Sequence, residues 1–313
     1  MSEVSPATAG QDVAARHSVT PVRTLPRWLR RVLAFLLVLA LLALAWEGLK
    51  WLAGDPWRPE SNPFGISHTP PFRAKIASDL NLPHLWDIAG AFGQPSRRNG
   101  PPLSAVLLEA ALFTFREAIA GFLLGGLLGF LLGTLFAHVT LLERGCMPYV
   151  VASQTVPILA IAPMVVIWLK AGWISVAVIA AYLTFFPVAI NTLRGLRSPD
   201  PMALELMHSY AASPSEILWK LRVPAALPYI FTALKISATA SVVGAIIGEL
   251  PSGIRGGLGG AILNFNSFYI SGPARLWAAI IASAAVGIGF YLLVTVAERL
   301  ALRSRPLAAG EGV

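Results

Sequence analysis

Residues Leu112–His138 read LFTFREAIAGFLLGGLLGFLLGTLFAH, and this stretch decides the fold class. After Arg116 and Glu117 it runs to His138 without a charged side chain, and about 20 mostly apolar residues suffice for a helix to cross the hydrocarbon core of a bilayer. Gly121, Gly125, Gly129 and Gly133 recur at every fourth position. A four-residue step advances only about 40° around a helix, so the four glycines form one smooth groove. Where lipid supplies no hydrophobic drive between helices, small residues on one stripe let a neighbour approach backbone to backbone. The stripe therefore predicts close helix packing rather than contact with a solute.

Working outward, five further stretches have the same character: Arg31–Leu52, Val150–Leu169, Ile174–Leu193, Ala225–Ile247 and Leu276–Ala297. The whole chain is 56% hydrophobic and 13% charged, against about 45–50% and about 25% in soluble domains. The expectation is an all-α polytopic membrane protein with six transmembrane helices. Its net charge of +8 could suggest nucleic acid, but the Lys and Arg flank apolar runs and no basic-aromatic stripe lies on a soluble face. They read as topology signals. Arg144, Arg194, Arg197, Lys220, Arg222 and Arg299 fall in or beside short segments on one side, which the positive-inside rule assigns to the cytoplasm together with both termini. The cluster Arg27, Arg30 and Arg31 precedes an apolar run too long for a signal peptide and without a convincing cleavage site, so that run reads as a retained anchor. The lone cysteine, Cys146, supports neither a disulfide framework nor a thiol metal site.

These readings divide the chain into a disordered cytoplasmic tail (1–26), an N-terminal transmembrane anchor (27–53), an outer loop (54–106), a core domain (107–303) containing a cytoplasmic loop (199–224), and a second tail (304–313). Inside the core, Pro157 and Pro163 interrupt the third span and Pro187 the fourth. Such breaks persist in a membrane only where protein or a wet cavity satisfies the freed carbonyls, so these spans are candidates to border a pathway. Gln154 and Thr155 before Pro157, and Asn191 and Thr192 after Pro187, could line that pathway or form helix-to-helix hydrogen bonds. Arg116 and Glu117 at the outer start of the second span read as interface anchors. Glu249 opens the glycine-rich run LPSGIRGGLGG (250–260), either a re-entrant gate or a flexible connector.

The segment between the fourth and fifth spans is much longer than a connector requires. Asp200-Pro201 supplies an N-cap and a first-turn proline, and Ala203, Leu206, Met207, Tyr210 and Ala211 then follow helical spacing on one half-buried apolar face. Ser213, Pro214 and Glu216 start a second helix with a capping box, before Pro224 and Pro228 shape the next span. The product is a capped helix-turn-helix. Its basic content is modest for a helix that merely lies on lipid.

In this loop Glu205-Leu206-Met207, then Ala211, then Leu221, Val223 and Pro224 keep the spacing of the EAA loop of bacterial ABC importer permeases, and Ala225-Ala226-Leu227-Pro228-Tyr229-Ile230 continues it. Similarity extends through Gln154–Leu169, Ile247–Leu258 and Glu298–Arg303, so that roughly Pro83 to Arg303 resembles the family, nearest the branch serving nitrate, sulfonates, taurine, vitamin precursors and pyrimidines. Leu206 and Met207 stand where the family has alanines, and Ala211 where it has glycine. The resemblance implies a type I ABC importer architecture. In it, a small solute would arrive on an extracytoplasmic solute-binding protein and pass between two permease chains, a homodimer held in membrane lipid. The EAA loop would act as a coupling helix on an ATP-binding ABC subunit, with Glu205, Ala211, Ser213, Glu216 and Pro224 as the carried-over coupling positions and ATP and Mg held by that partner. Consistent with a partner's role, none of the five lysines follows a glycine, so the sequence has no GxxxxGK[ST] phosphate loop and is not read as an enzyme.

The competing class is a secondary transporter or channel, which commonly shows internal repeats and membrane-buried acids. No convincing repeat is visible, and the acids are expected near span ends. His68, His84, His138 and His208 are scattered, with His17 in the tail, so no catalytic or metal cluster is expected. Outer arginines favour an anionic solute and outer aromatics a heteroaromatic ring; interface belts account equally well for the aromatics.

Overall fold

The computed structural model describes residues 26–97 and 99–303. The expected tails therefore lie outside the described residues, apart from the last residue of the first. The first helix, α1, runs Arg27–Ala53, and its residues up to Leu49 form a unit of their own. From Lys50 onward a second unit contains α2 (Leu85–Ala91), α3 (Leu103–His138), α4 (Thr140–Ser153), α5 (Ile158–Leu169), α6 (Trp173–Leu196), α7 (Pro201–Ser209), α8 (Pro214–Glu216), α9 (Val223–Ser252), α10 (Leu258–Ser267) and α11 (Pro273–Leu302). Five stretches are long and apolar enough to cross a membrane, within α1, α3, α6, α8–α9 and α11, and α4 with α5 make a sixth if that bent pair is one crossing.

The bend is 97°. It falls at residues 154–157, where Pro157 cannot donate a backbone hydrogen bond and instead becomes the N-cap of α5. The expected third span, Val150–Leu169, therefore falls across two helices, the end of α4 and the whole of α5. Lys170, which ends α5, has φ 63 and ψ 152, a region normally left to glycine. Tyr182 on α6 steadies the break by donating its hydroxyl to the Ser153 carbonyl.

The α3 helix carries the glycine groove into the centre of the bundle. All four glycines are buried against α6: a Cβ on Gly121 would lie 2.7 Å from the Ala177 carbonyl oxygen, one on Gly129 would lie 2.9 Å from Val188 Cβ, and one on Gly133 would lie 2.5 Å from the Ala189 carbonyl oxygen. On the other side of α6, Gly244 of α9 meets Ala180 equally closely, at 2.8 Å from Cβ to Cα. So α6 is clasped between α3 and α9, with Ala118, Val176, Ala180, Ala238, Val242, Ala245, Phe290 and Val294 as a core of mostly small side chains. Small residues here bring backbones together, and dispersion between close helices replaces the hydrophobic drive that lipid does not provide.

Two ion pairs tie helix ends together. Arg197, just after α6, bonds Glu143 of α4 at 2.5 Å and the Phe136 carbonyl of α3 at 3.2 Å. Lys235 of α9 pairs with Glu298 of α11 at 2.8 Å. The segment read as an outer loop has structure of its own. The buried Lys50 ammonium donates to Asp79 at 2.5 Å and to the Leu82 carbonyl at 2.6 Å, and Trp57, His84 and Trp86 gather face and edge around one another. These tryptophans pack as a cluster and not as isolated belt residues.

Candidate functional site

The loop after α6 is built as its capping residues dictate. Asp200 accepts from the Met202 amide at 2.8 Å and Pro201 opens α7. Ser213 and Glu216 complete a reciprocal capping box, with the Glu216 carboxylate accepting from the Ser213 amide at 3.0 Å. Glu216 also pairs with Lys220 at 2.7 Å. Beyond it, Ile217–Arg222 widens into a π-helical turn, closed by a bond from the Val223 amide to the Leu218 carbonyl. Pro224 accounts for that turn: it has no N–H for the Lys220 carbonyl and its ring would clash there in a regular helix, which the wider turn relieves.

Between the two helices the chain turns at Ala211, whose φ is 52. Its amide bonds the His208 carbonyl at 2.9 Å and the Ala212 amide bonds the Met207 carbonyl at 3.0 Å. This is the double bond pattern of a Schellman cap, whose left-handed position normally belongs to glycine. An alanine there stores on the order of 1 kcal/mol. Ala211→Gly is therefore expected to stabilise the loop by up to about 1 kcal/mol, less the extra freedom glycine gains in the unfolded chain. Slower proteolysis within residues 199–224 would register it, and Ala211→Val should act oppositely.

The apolar face of α7 is half-buried only in part: Ala203 and Met207 are partly buried as the periodicity predicts, whereas Leu206, Tyr210 and Ala211 on the same face are exposed. Met202, Leu206 and Tyr210 are 76%, 57% and 79% exposed, and Glu205 beside them is also exposed. Among the described residues Met202, Leu206 and Tyr210 are left mostly uncovered, so this part of the helix presents a surface rather than a core contact.

Pathway candidates separate by their surroundings. Asn191 borders a groove of about 890 Å³ with Glu143, Phe186, Pro187, Arg194 and Tyr229, while its amide donates to the Pro187 carbonyl at 2.8 Å. Thr192 is fully buried on the opposite flank of α6, against Gly133. Gln154 keeps a buried amide nitrogen without a partner at the α4–α5 bend, and Thr155 there is exposed and bonds the Ala152 carbonyl at 2.7 Å. At the other end of the bundle a cavity of about 620 Å³ is bordered by Glu109, Glu249, Arg255, Asn264 and Phe265. Cavities of this size suit small solutes.

Glu249 ends up fully buried, and residues 253–257 make a turn after which α10 packs back against α3, α9 and α11. Its carboxylate accepts from Thr114 Oγ1 at 2.6 Å and from the Gly259 amide at 2.6 Å, and Thr114 Oγ1 accepts from the Leu258 amide at 2.8 Å. Glu117 is also buried, at 2% exposure. Its placement corrects the reading as an interface anchor: α3 begins at Leu103, so Glu117 lies well inside the helix. The extra turns put Glu117 and Thr114 on the buried face, a position that the expected start at Leu112 obscured.

Residues 125–303 match the family described as binding-protein-dependent transport system inner membrane component. The chain belongs to this family. Among its relatives, the riboflavin transport system permease protein of Chloroflexus aurantiacus is 30% identical over 222 residues, covering 71% of this chain and 80% of that protein. The formylaminopyrimidine transport permease protein of Halalkalibacterium halodurans is 35% identical over 180 residues, covering 54% and 72%. A crystal structure of an amino acid ABC transporter with histidines superposes with a TM-score of 0.50 at 16% identity, covering 64% of this chain and 94% of that one; this likeness concerns the fold. The chain is an ABC transporter permease subunit for a small solute.

Proposed function

We propose that two copies of this permease enclose the pathway of an ATP-driven importer, with α7 seated on an ATP-binding subunit that holds ATP and Mg. The observation that carries the reading is the capped, rigid loop whose apolar residues Met202, Leu206 and Tyr210 stand uncovered next to Glu205. Such a surface suits a docked partner, and a rigid loop transmits movement from it to α6 and α9, a two-state element biased by nucleotide. α4 has no buried residue, a surface suited to the second permease copy. Both termini lie in the cytoplasm of a bacterial inner membrane in this reading, and an extracytoplasmic binding protein delivers solute to the end bearing α10.

The solute class is a nitrate- or sulfonate-like anion, or a pyrimidine or vitamin precursor. Arg97, Arg255 and Arg275 around the outer cavities support the first, and Phe265 and Phe268 the second. Affinity purification of the full chain from its native membrane tests the assembly. An ABC ATPase is expected to co-purify with the wild type and to be lost when Met202, Leu206 and Tyr210 are replaced together by serine. Retention of the ATPase by the triple variant would contradict the assignment of this surface.

A further inference from the structure

Glu117 and Glu249 present a hydrogen-bond account that closes in only one way. Glu117 stands one turn along α3 from Thr114, which bonds the buried Glu249 carboxylate at 2.6 Å, so both buried acids face the same junction, yet neither oxygen of Glu117 receives a bond from any donor among the described residues. Glu249 is already supplied: Gly259 N–H donates to one oxygen and the Thr114 hydroxyl donates to the other, while Thr114 Oγ1 accepts from the Leu258 amide. An ionised carboxylate only accepts. Two carboxylates facing each other in a buried site leave Glu117 without a donor and set like charges side by side, an arrangement that buried acid pairs resolve by sharing a proton.

Among the described residues no Lys, Arg or His is hydrogen-bonded to either acid; Arg116, next to Glu117 in sequence, is exposed. α6 carries its one charge, Arg194, at the far end, and α10 carries none. On α11 the charges are Arg275 at the start and Glu298 and Arg299 at the finish, and Lys235 on α9 is held by Glu298. On α3 itself, Glu109 and Arg116 are exposed, as is Arg255 in the turn after α9. The glycines show how closely the α10 start is laid over the acid: a Cβ on Gly259 would stand 2.9 Å from Glu249 Oε2, and one on Gly257 would overlap the carboxyl group.

We propose that Glu117 and Glu249 form a buried proton-binding site, with Glu117 the carboxylic acid that donates to the Glu249 carboxylate, latching α3 to the turn that begins α10. Four donors then converge in a consistent order: Leu258 N–H to Thr114, Thr114 O–H to Glu249, Gly259 N–H to Glu249, and Glu117 O–H to Glu249. Loss of the proton to water through the adjacent 620 Å³ cavity leaves two buried negative charges and opens the latch on the α10 wall of that cavity.

The test needs neither solute nor ATPase, so its outcome is independent of the transport reading. Purified full-length chain in lipid nanodiscs should show, at neutral pH, a carboxylic-acid C=O stretching band in the infrared that disappears at alkaline pH and is absent from Glu117→Gln. Thermal stability of the wild type should fall across the same alkaline interval. Glu117→Gln, whose amide still donates to Glu249, should flatten that dependence, whereas Glu249→Gln, which offers a donor to the Gly259 amide, should destabilise at every pH. Should Glu117→Gln not fold, wild-type protein grown with carboxyl-¹³C glutamate carries the test, since the acid band must then shift by the isotope effect. A neutral-pH spectrum without a glutamic-acid band, or one unchanged in Glu117→Gln, would overturn the proposal.

Discussion

Glu205→Lys is expected to uncouple the permease from its ATPase while leaving the chain folded in the membrane. Glu205 is exposed on α7 among the exposed Met202, Leu206 and Tyr210, and among the described residues its carboxylate has no hydrogen bond or ion pair. A carboxylate in such a position suits a charge-assisted bond to an arginine of the partner. Breaking a desolvated pair costs roughly 2–5 kcal/mol, about 30-fold to a few thousandfold in affinity, whereas a solvent-exposed pair costs about 0–1 kcal/mol. Co-purification of the ATPase, ATP hydrolysis and vesicle uptake should all reveal the larger effect. Glu60→Lys, an exposed charge reversal in the segment before α2, serves as the control. If Glu205→Lys binds its ATPase and transports like wild type, the coupling role of α7 is wrong.

Gly125→Leu should prevent the α3–α6 pair from forming. Even a bare Cβ on Gly125 would stand 2.8 Å from Thr184 Cβ and 2.9 Å from Ala181 Cα, and Ala181 Cα is helix backbone that cannot swing aside. Overpacking a core costs about 1–3 kcal/mol where side chains can adjust; here the helices themselves must separate, with loss of dispersion along the whole groove. Gly126 is an internal control one residue away, because the nearest atom to its Cβ is Leu234 Cδ2 at 3.8 Å. Gly126→Leu should therefore yield folded protein in normal amount while Gly125→Leu yields little, as size-exclusion profiles of the solubilised chain would record. Equal yields would remove the packing role of the groove.

The features legible in the sequence are those whose signal is local. Asp200-Pro201 and the Ser213/Glu216 box fix helix starts through bonds a few residues long, and the structure has both. Whether the turn survives an alanine in the family's glycine position was not legible, and Ala211 keeps it at the cost of a left-handed φ of 52. The groove on α3 was readable because its repeat is geometric. The same repeat held more than was taken from it: one four-residue step back from Gly121 is Glu117, and three more residues back is Thr114, so the acid lies on the buried stripe. Its partner could not be read this way, since Glu249 meets Glu117 only through the fold of α9 onto α3. The exposed part of the α7 face was not anticipated for a related reason. Helical periodicity identifies an apolar face but does not say whether the chain or a partner covers it. The bend at residues 154–157 was signalled by Pro157, though not its angle, which depends on what α5 packs against.

The account as a whole is tested most directly by reconstituting the permease with its ABC ATPase and binding protein in proteoliposomes and measuring uptake of the binding protein's ligand. The account predicts accumulation that requires ATP and the ATPase together, and that Glu205→Lys abolishes. Accumulation by the permease alone, without ATPase or ATP, would contradict it.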